Sequence, residues 1–240
     1  VTDASSFDAV ARRYDAARPS YPAEAVEWLV PERAAAVVDV GAGTGKFTRL
    51  LARPGRTLIA VEPSAAMRAE LRAALRGVDV LEGSGERVPL PDASADAITF
   101  AQAWHWVDVP SASREAARVL RPGGILGLVW NLRDERVDWV RELGEAMRAD
   151  GDHYRGVDDD PAVGEPFGAG ERSSIEWVQP TTRSAIADMV RSRSYFALLS
   201  PGERRQTLAA VEDVLERHPE SAGESIPLPY VTASYRFVRP

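Results

Sequence analysis

Val37-Val38-Asp39-Val40-Gly41-Ala42-Gly43-Thr44-Gly45 is a short β-branched run that passes straight into three alternating glycines. The run reads as a buried strand, and residues 45–51 that follow read as a helix. Glycine at such a junction lets the backbone turn sharply and lets a ligand sit against main-chain amides at a helix N-terminus. Two phosphate-binding loops fail against the stretch. A P-loop requires GxxxxGK followed by Ser or Thr, but Phe47 follows Gly45-Lys46 and Val occupies position 40. A dinucleotide fingerprint requires glycine at position 46, which is Lys46. A third phosphate-free reading, a glycine-rich turn with no ligand, stays open for the stretch taken alone.

Working outward, helical candidates at 7–14, 22–29, 45–51, 65–75 and 112–119 alternate with apolar runs at 37–40, 57–61, 79–82, 95–101 and 124–131. Runs this short, bounded by Gly, Pro or Asp and separated by helices, predict a parallel sheet in a doubly wound α/β fold. After Asn131 the alternation stops. Val137, Val140, Leu143 and Met147 recur at helical spacing and predict an amphipathic helix over 134–149. Residues 150–170 read as a loop, 174–178 and 229–238 as strands, and 185–193 and 201–217 as helices. The last helix carries its own start signal, with Ser200 as cap, Pro201 in the first turn and Glu203 completing a capping box. The expected organisation is one domain over 1–240. Its core is about 1–131, with segments 132–170 and 181–220 as decoration.

Composition excludes several classes. With 45% hydrophobic and 27% charged residues in 240, the chain can bury a large core, which argues against disorder. The formal net charge of −7 argues against a nucleic-acid or anionic-membrane surface, so neither partner is expected. Absence of cysteine removes disulfides, thiolate zinc sites and cysteine nucleophiles. Lys46 is the only lysine, so amine catalysis has a single candidate. No run approaches the length of a membrane helix, and the expected compartment is the cytoplasm.

The ends of the later strands add chemistry to the glycine loop. The second run ends in Glu62-Pro63-Ser64, where an acidic side chain can accept both hydroxyls of a ribose. The third ends in Leu81-Glu82-Gly83-Ser84-Gly85-Glu86, and the fourth leads through Ala101 into Gln102-Ala103-Trp104-His105-Trp106. Arg118-Val119-Leu120-Arg121-Pro122-Gly123-Gly124 then turns a helix into the fifth strand. In this order the four segments resemble the class I S-adenosylmethionine-dependent methyltransferases over about residues 37–131. Arg18-Pro19-Ser20-Tyr21-Pro22, Leu228-Pro229-Tyr230 and Tyr235-Arg236 extend the resemblance towards small-molecule methyltransferases such as those acting on trans-aconitate.

The resemblance implies a Rossmann-like, seven-stranded sheet, mostly parallel with an antiparallel last strand, and helical decoration over the active site. It implies S-adenosylmethionine as methyl donor and S-adenosylhomocysteine as product. Donor-binding positions would be Tyr14, Arg18, Gly41, Ala42, Gly43, Thr44, Gly45, Glu62, Pro63, Ser64, Met67, Ser84, Gly85, Glu86, Ala101 and Gln102. Ser84 stands where many relatives carry Asp.

Methyl transfer from a sulfonium needs positioning above all, and a base only when the acceptor must lose a proton. Of three histidines, His105 is the candidate base, with packing between Trp104 and Trp106 as the alternative. Tyr21, Trp104, Trp106, Trp130, Tyr195 and Phe196 are candidates for the pocket of a small-molecule acceptor. They could equally glue the decoration to the sheet. His153 and Tyr154 with Asp158-Asp159-Asp160 read as a solvated turn rather than a metal site, and no metal is expected. His218 reads as a helix-end residue. Two rival functions use the same fold: a donor-binding protein with a non-methylating role, and a methyltransferase acting on RNA or protein.

Overall fold

All five apolar runs of the first half become strands of one sheet. The computed structural model describes residues 19–147 and 160–240. Its strands are β1 (Ala36–Val40), β2 (Thr57–Val61), β3 (Asp79–Leu81), β4 (Ala95–Ala101), β5 (Leu120–Arg133), β6 (Glu171–Thr181) and β7 (Ile226–Val238). Across the sheet they run β3-β2-β1-β4-β5-β7-β6. β1 pairs in parallel with both β2 and β4, β2 with β3, and β4 with β5. Strand order therefore reverses at β1 and β4, the switch point beyond whose C-terminal ends open α/β sheets bind ligands.

Register fixes the direction of β7. Gly124 O accepts from Arg239 N, whereas Asp134 N donates to Pro229 O, so 134 − 124 = 10 residues forward matches 239 − 229 = 10 back. β7 is antiparallel to β5. Likewise Glu171 pairs with Arg236 and Trp177 stacks on Tyr230, so six residues forward on β6 match six back on β7. The sheet is seven-stranded and mostly parallel, with the last strand antiparallel, as expected.

Helix boundaries shifted where caps took over from periodicity. In the first half the helices are α1 (Ala23–Leu29), α2 (Thr48–Leu51), α3 (Ala65–Ala74) and α4 (Val109–Val119). The helix expected from 112 begins at Val109, because the Asp108 carboxylate accepts from Ser111 N at 3.0 Å and Pro110 fits the first turn. The Pro122-Gly123-Gly124 turn lies inside β5 rather than before it. Leu120 pairs with Ala95 and Ile125 with Ala97, so a five-residue step faces a two-residue one, and Gly123 absorbs the bulge at φ 77°.

Among the described residues the chain divides into two compact units, Ser20–Asn131 with Asp160–Ile175 and Thr232–Pro240, and Pro19 with 132–147 and Glu176–Val231. In the first, Leu29, Val37, Phe47, Leu51, Ala97 and Val129 form a core in which α1 and α2 cover the sheet. In the second, the helices are α5 (Asp138–Ala146), α6 (Arg183–Arg191), α7 (Ser194–Leu198) and α8 (Pro201–Arg217). Leu143, Ile186, Val190, Val211 and Leu228 are buried there together. The Ser200–Glu203 capping box is formed in full. α5 starts at Asp138, four residues later than the expected start at 134, because Asp134 is clasped by Arg136 at 2.7 Å and Val137 N donates to Asp134 O in a turn. α7 was not foreseen from periodicity. The expected helix over 7–14 and residues 148–149 lie outside the described residues. Among the described residues no helix is long and apolar enough to cross a membrane.

Candidate active site

Asp39 sits under the glycine loop as a buried carboxyl. Thr48 Oγ1 donates to its Oδ2 at 2.6 Å and Thr99 Oγ1 to its Oδ1 at 2.9 Å, so one side chain ties α2 and β4 to β1. Burial pushes its pKa up to about 6 against the two hydroxyls, and the charge of Glu62 adds to the rise. An acid whose native pKa exceeds its unfolded value holds extra protons when folded, so ionisation costs stability as pH rises. Moving from 3.8 to about 6 corresponds to a cost of about 3 kcal/mol. Asp39→Asn cannot ionise. Between pH 4 and pH 7 the wild type should lose about 2 kcal/mol of this relative to Asp39→Asn in urea unfolding, and parallel pH profiles would contradict the burial argument.

The loop above is held by backbone and carboxylate together. Gly41 and Ala42 donate their amides to Val61 O at 2.8 and 3.2 Å. Gly43 N donates to Glu62 Oε2 and Ser64 N to Glu62 Oε1, both at 2.9 Å. Each oxygen of this buried carboxylate accepts one amide, and a carboxylate has room for about four donors, so capacity remains for the two hydroxyls of a ribose. Glu62 is supported in turn by Arg68, whose Nη1 donates to the carbonyls of Glu62 and Pro63 and whose Nη2 meets Glu82 at 2.7 Å. Ser64 also caps α3, accepting from Met67 N at 3.4 Å. Gly41, Gly43 and Gly45 have φ of 68°, 57° and 86°. A side chain at Gly41 would place Cβ 2.6 Å from Ala103 Cβ, so the loops after β1 and β4 touch.

Ser84, Gly85 and Glu86 follow β3 as a closed unit. Ser84 Oγ donates to Glu86 Oε2 at 2.8 Å, and Asp108 N donates to Glu86 Oε1 at 2.8 Å. Partial burial raises the Glu86 pKa, but these hydrogen bonds outweigh it and hold the carboxyl below its ordinary value. Glu86 thus ties the third strand end to the start of α4. Gly85 is packed against Val107 and Phe100 so closely that a Cβ would not fit. Gln102, after Ala101 at the end of β4, adopts φ 55° and donates Nε2 to Asn131 O at 2.9 Å.

Asn131 is a residue that the sequence reading missed. Its buried amide donates to Ser20 O at 2.8 Å and accepts from Thr232 Oγ1 at 2.6 Å. It links the N-terminal segment, the end of β5 and β7, and through Gln102 the end of β4. Its one signal in the sequence was a polar residue closing the fifth apolar run.

The aromatic candidates separate. Trp104 is buried edge-on to Phe100 at 4.8 Å and donates Nε1 to Ala162 O at 2.9 Å. Trp130, also buried, donates Nε1 to His105 Nδ1 at 3.3 Å and packs edge-on to Tyr235. Trp106 is 65% exposed, with its ring 4.9 Å from that of His105. Tyr21 packs edge-on to Phe47. Tyr195 and Phe196 belong to the second unit, where the Tyr195 hydroxyl donates to Met147 O and Phe196 lies in the core. Tyr14, Arg18, His153, Tyr154, Asp158 and Asp159 lie outside the described residues. Asp160 pairs with Arg172 at 3.6 Å, and His218 ends α8 with Nε2 3.2 Å from Glu142.

Residues 38–128 match the model of a family described as a methyltransferase domain. An uncharacterized methyltransferase of Mycobacterium tuberculosis is 48% identical over 233 residues, covering 96% of this chain and 94% of that protein. An uncharacterized methyltransferase-like protein of Schizosaccharomyces pombe is 30% identical, over 97% and 95% of the two chains. Among solved structures, a provisionally assigned methyltransferase from an antibiotic biosynthesis pathway of Anabaena variabilis superposes with a TM-score of 0.61. It is 20% identical and covers 88% of this chain and 95% of that one.

Proposed function

This chain belongs to the S-adenosylmethionine-dependent methyltransferases, and from that premise we propose that it methylates a small-molecule acceptor by in-line displacement. The observation that carries the donor side is the shared grip of Gly43 and Ser64 amides on Glu62, which holds a carboxylate with spare acceptor capacity beside a glycine cradle. Glu62 would receive the ribose, Gly41 to Gly45 would give the donor close access to the backbone, and Ser84 with Gly85 would meet the adenine edge. When bound, S-adenosylmethionine would supply an activated methyl group for displacement by the acceptor's lone pair, leaving S-adenosylhomocysteine. Residues of the chain orient the acceptor and exclude water, which is where most of the rate arises.

The Trp130 bond supports His105 as a fixed donor in the pocket wall. With Nδ1 accepting from Trp130, the neutral ring carries its hydrogen on Nε2, which then donates and cannot take a proton. A small acceptor is further supported by the acidic charge balance of the chain.

Calorimetry with S-adenosylhomocysteine, followed by transfer of labelled methyl to a metabolite mixture, tests the reading. Binding and a labelled small molecule are expected, and a folded protein that does not bind would overturn it. In the same assay His105→Gln should keep single-turnover transfer within about tenfold, with an unchanged pH profile, whereas loss of a general base would cost about a hundredfold or more.

A further inference from the structure

Two arginines among the described residues are almost fully enclosed, and they are treated very differently. Arg68, 7% exposed, has three partners at 2.7 to 2.9 Å, two carbonyls and the Glu82 carboxylate. Arg133, 5% exposed at the end of β5, has one, the Glu135 carboxylate at 3.5 Å from Nη2. Its Nε is buried with no partner among the described residues. A charge-assisted contact ordinarily closes to about 2.8 Å, and an enclosed guanidinium with unused donors carries a desolvation cost that such pairing would offset.

Its neighbours do not supply the missing acceptor. Asp134 is held by Arg136, which also takes Glu176 at 2.6 Å. Glu142 is taken by Arg217 at 2.8 Å. On the helix side stands Gly144, where an added Cβ would lie 3.7 Å from Arg133 Nη2 and 2.6 Å from Glu135 Oε1. The missing side chain there is what admits the Glu135 carboxylate, which fills the space beside the guanidinium. The planar fork of arginine matches a two-oxygen acceptor.

We propose that Arg133 is an oxyanion-binding residue, taking a carboxylate or phosphate group of a small molecule at the end of β5. The site belongs to its own unit and stands apart from the methyl-transfer reading above. Glu135 is a weak internal stand-in that the oxyanion displaces from Nη2.

The probes are succinate and inorganic phosphate, each titrated into the full chain at constant ionic strength with chloride as reference, reading the thermal unfolding midpoint. One of the two should raise the midpoint saturably, and which one does identifies the oxyanion. Arg133→Met should weaken that response at least about tenfold, while S-adenosylhomocysteine affinity stays within twofold. Glu135→Gln removes the competitor and should strengthen the response severalfold, which keeps the test decisive even if Arg133→Met fails to fold. Neither probe exceeding chloride, an unchanged response in Arg133→Met, or a weakened one in Glu135→Gln would overturn the proposal. A response to the oxyanion without S-adenosylhomocysteine binding would keep the Arg133 site and discard the methyl-transfer reading. Donor binding without an oxyanion response would do the reverse.

Discussion

Gly41→Ala should abolish S-adenosylhomocysteine binding and destabilise the fold by about 3–5 kcal/mol, measured by calorimetry and by urea unfolding. Two costs add. A left-handed φ of 68° disfavours any L side chain by about 1–2 kcal/mol. The new Cβ would also stand 2.6 Å from Ala103 Cβ, an atom fixed to its backbone that cannot rotate away. The loops after β1 and β4 must then separate, and the first carries the cradle while the second carries Gln102. Gly43→Ala is the internal control. It has a similar φ of 57°, but its Cβ would meet only Met67 Sδ at 3.9 Å, so only the conformational cost of about 1–2 kcal/mol applies. Equal losses in the two variants would show that the close approach to Ala103 is unimportant.

Glu62→Ala should lower S-adenosylhomocysteine affinity at least about a hundredfold and cost about 3 kcal/mol of stability. The carboxylate accepts Gly43 N and Ser64 N, so its removal strips a charged acceptor from two enclosed amides and frees both the loop and the start of α3. Glu62→Gln separates the roles. Its amide keeps one acceptor oxygen for a loop N–H, so stability should recover in part. The turned-in NH2 cannot accept a ribose hydroxyl, so affinity should stay low. Full recovery of affinity in Glu62→Gln would remove the ribose assignment.

The fold was legible where a short motif carries its own geometric demand. Gly41, Gly43 and Gly45 were readable as turn residues, and all three adopt positive φ. Ser200, Pro201 and Glu203 form the capping box that their spacing announces. The runs at 37–40, 95–101 and 124–131 needed no partner to be recognised, since they are buried along most of their length and read as mostly apolar sequence, whereas β3 at the sheet edge has Asp79 exposed and Leu81 half-buried. What stayed hidden depends on pairs far apart in the chain. Nothing near Asn131 indicates that it bonds to Ser20 and Thr232, which lie 111 and 101 residues away. Composition likewise could not separate an enclosed tryptophan such as Trp104 from an open one such as Trp106, because the two differ only in what other segments place over them. The carboxylates show the same boundary. Glu62 stood out by its place after a strand, whereas the burial that lifts the Asp39 pKa comes from β4 and α2 closing over it.

The position of β7 has a consequence for the nascent chain. Translation delivers β6 before β7, yet in the sheet β7 lies between β5 and β6. Until residues 226–238 leave the ribosome, the outer rim of β5 has no neighbour and β6 has nowhere to dock. During that interval the emerging chain presents a long apolar strand with open hydrogen-bonding groups, the kind of surface that recruits a chaperone or a second nascent copy. Synonymous codons that slow the ribosome between 181 and 226 would prolong this exposure without altering a single residue of the finished sheet.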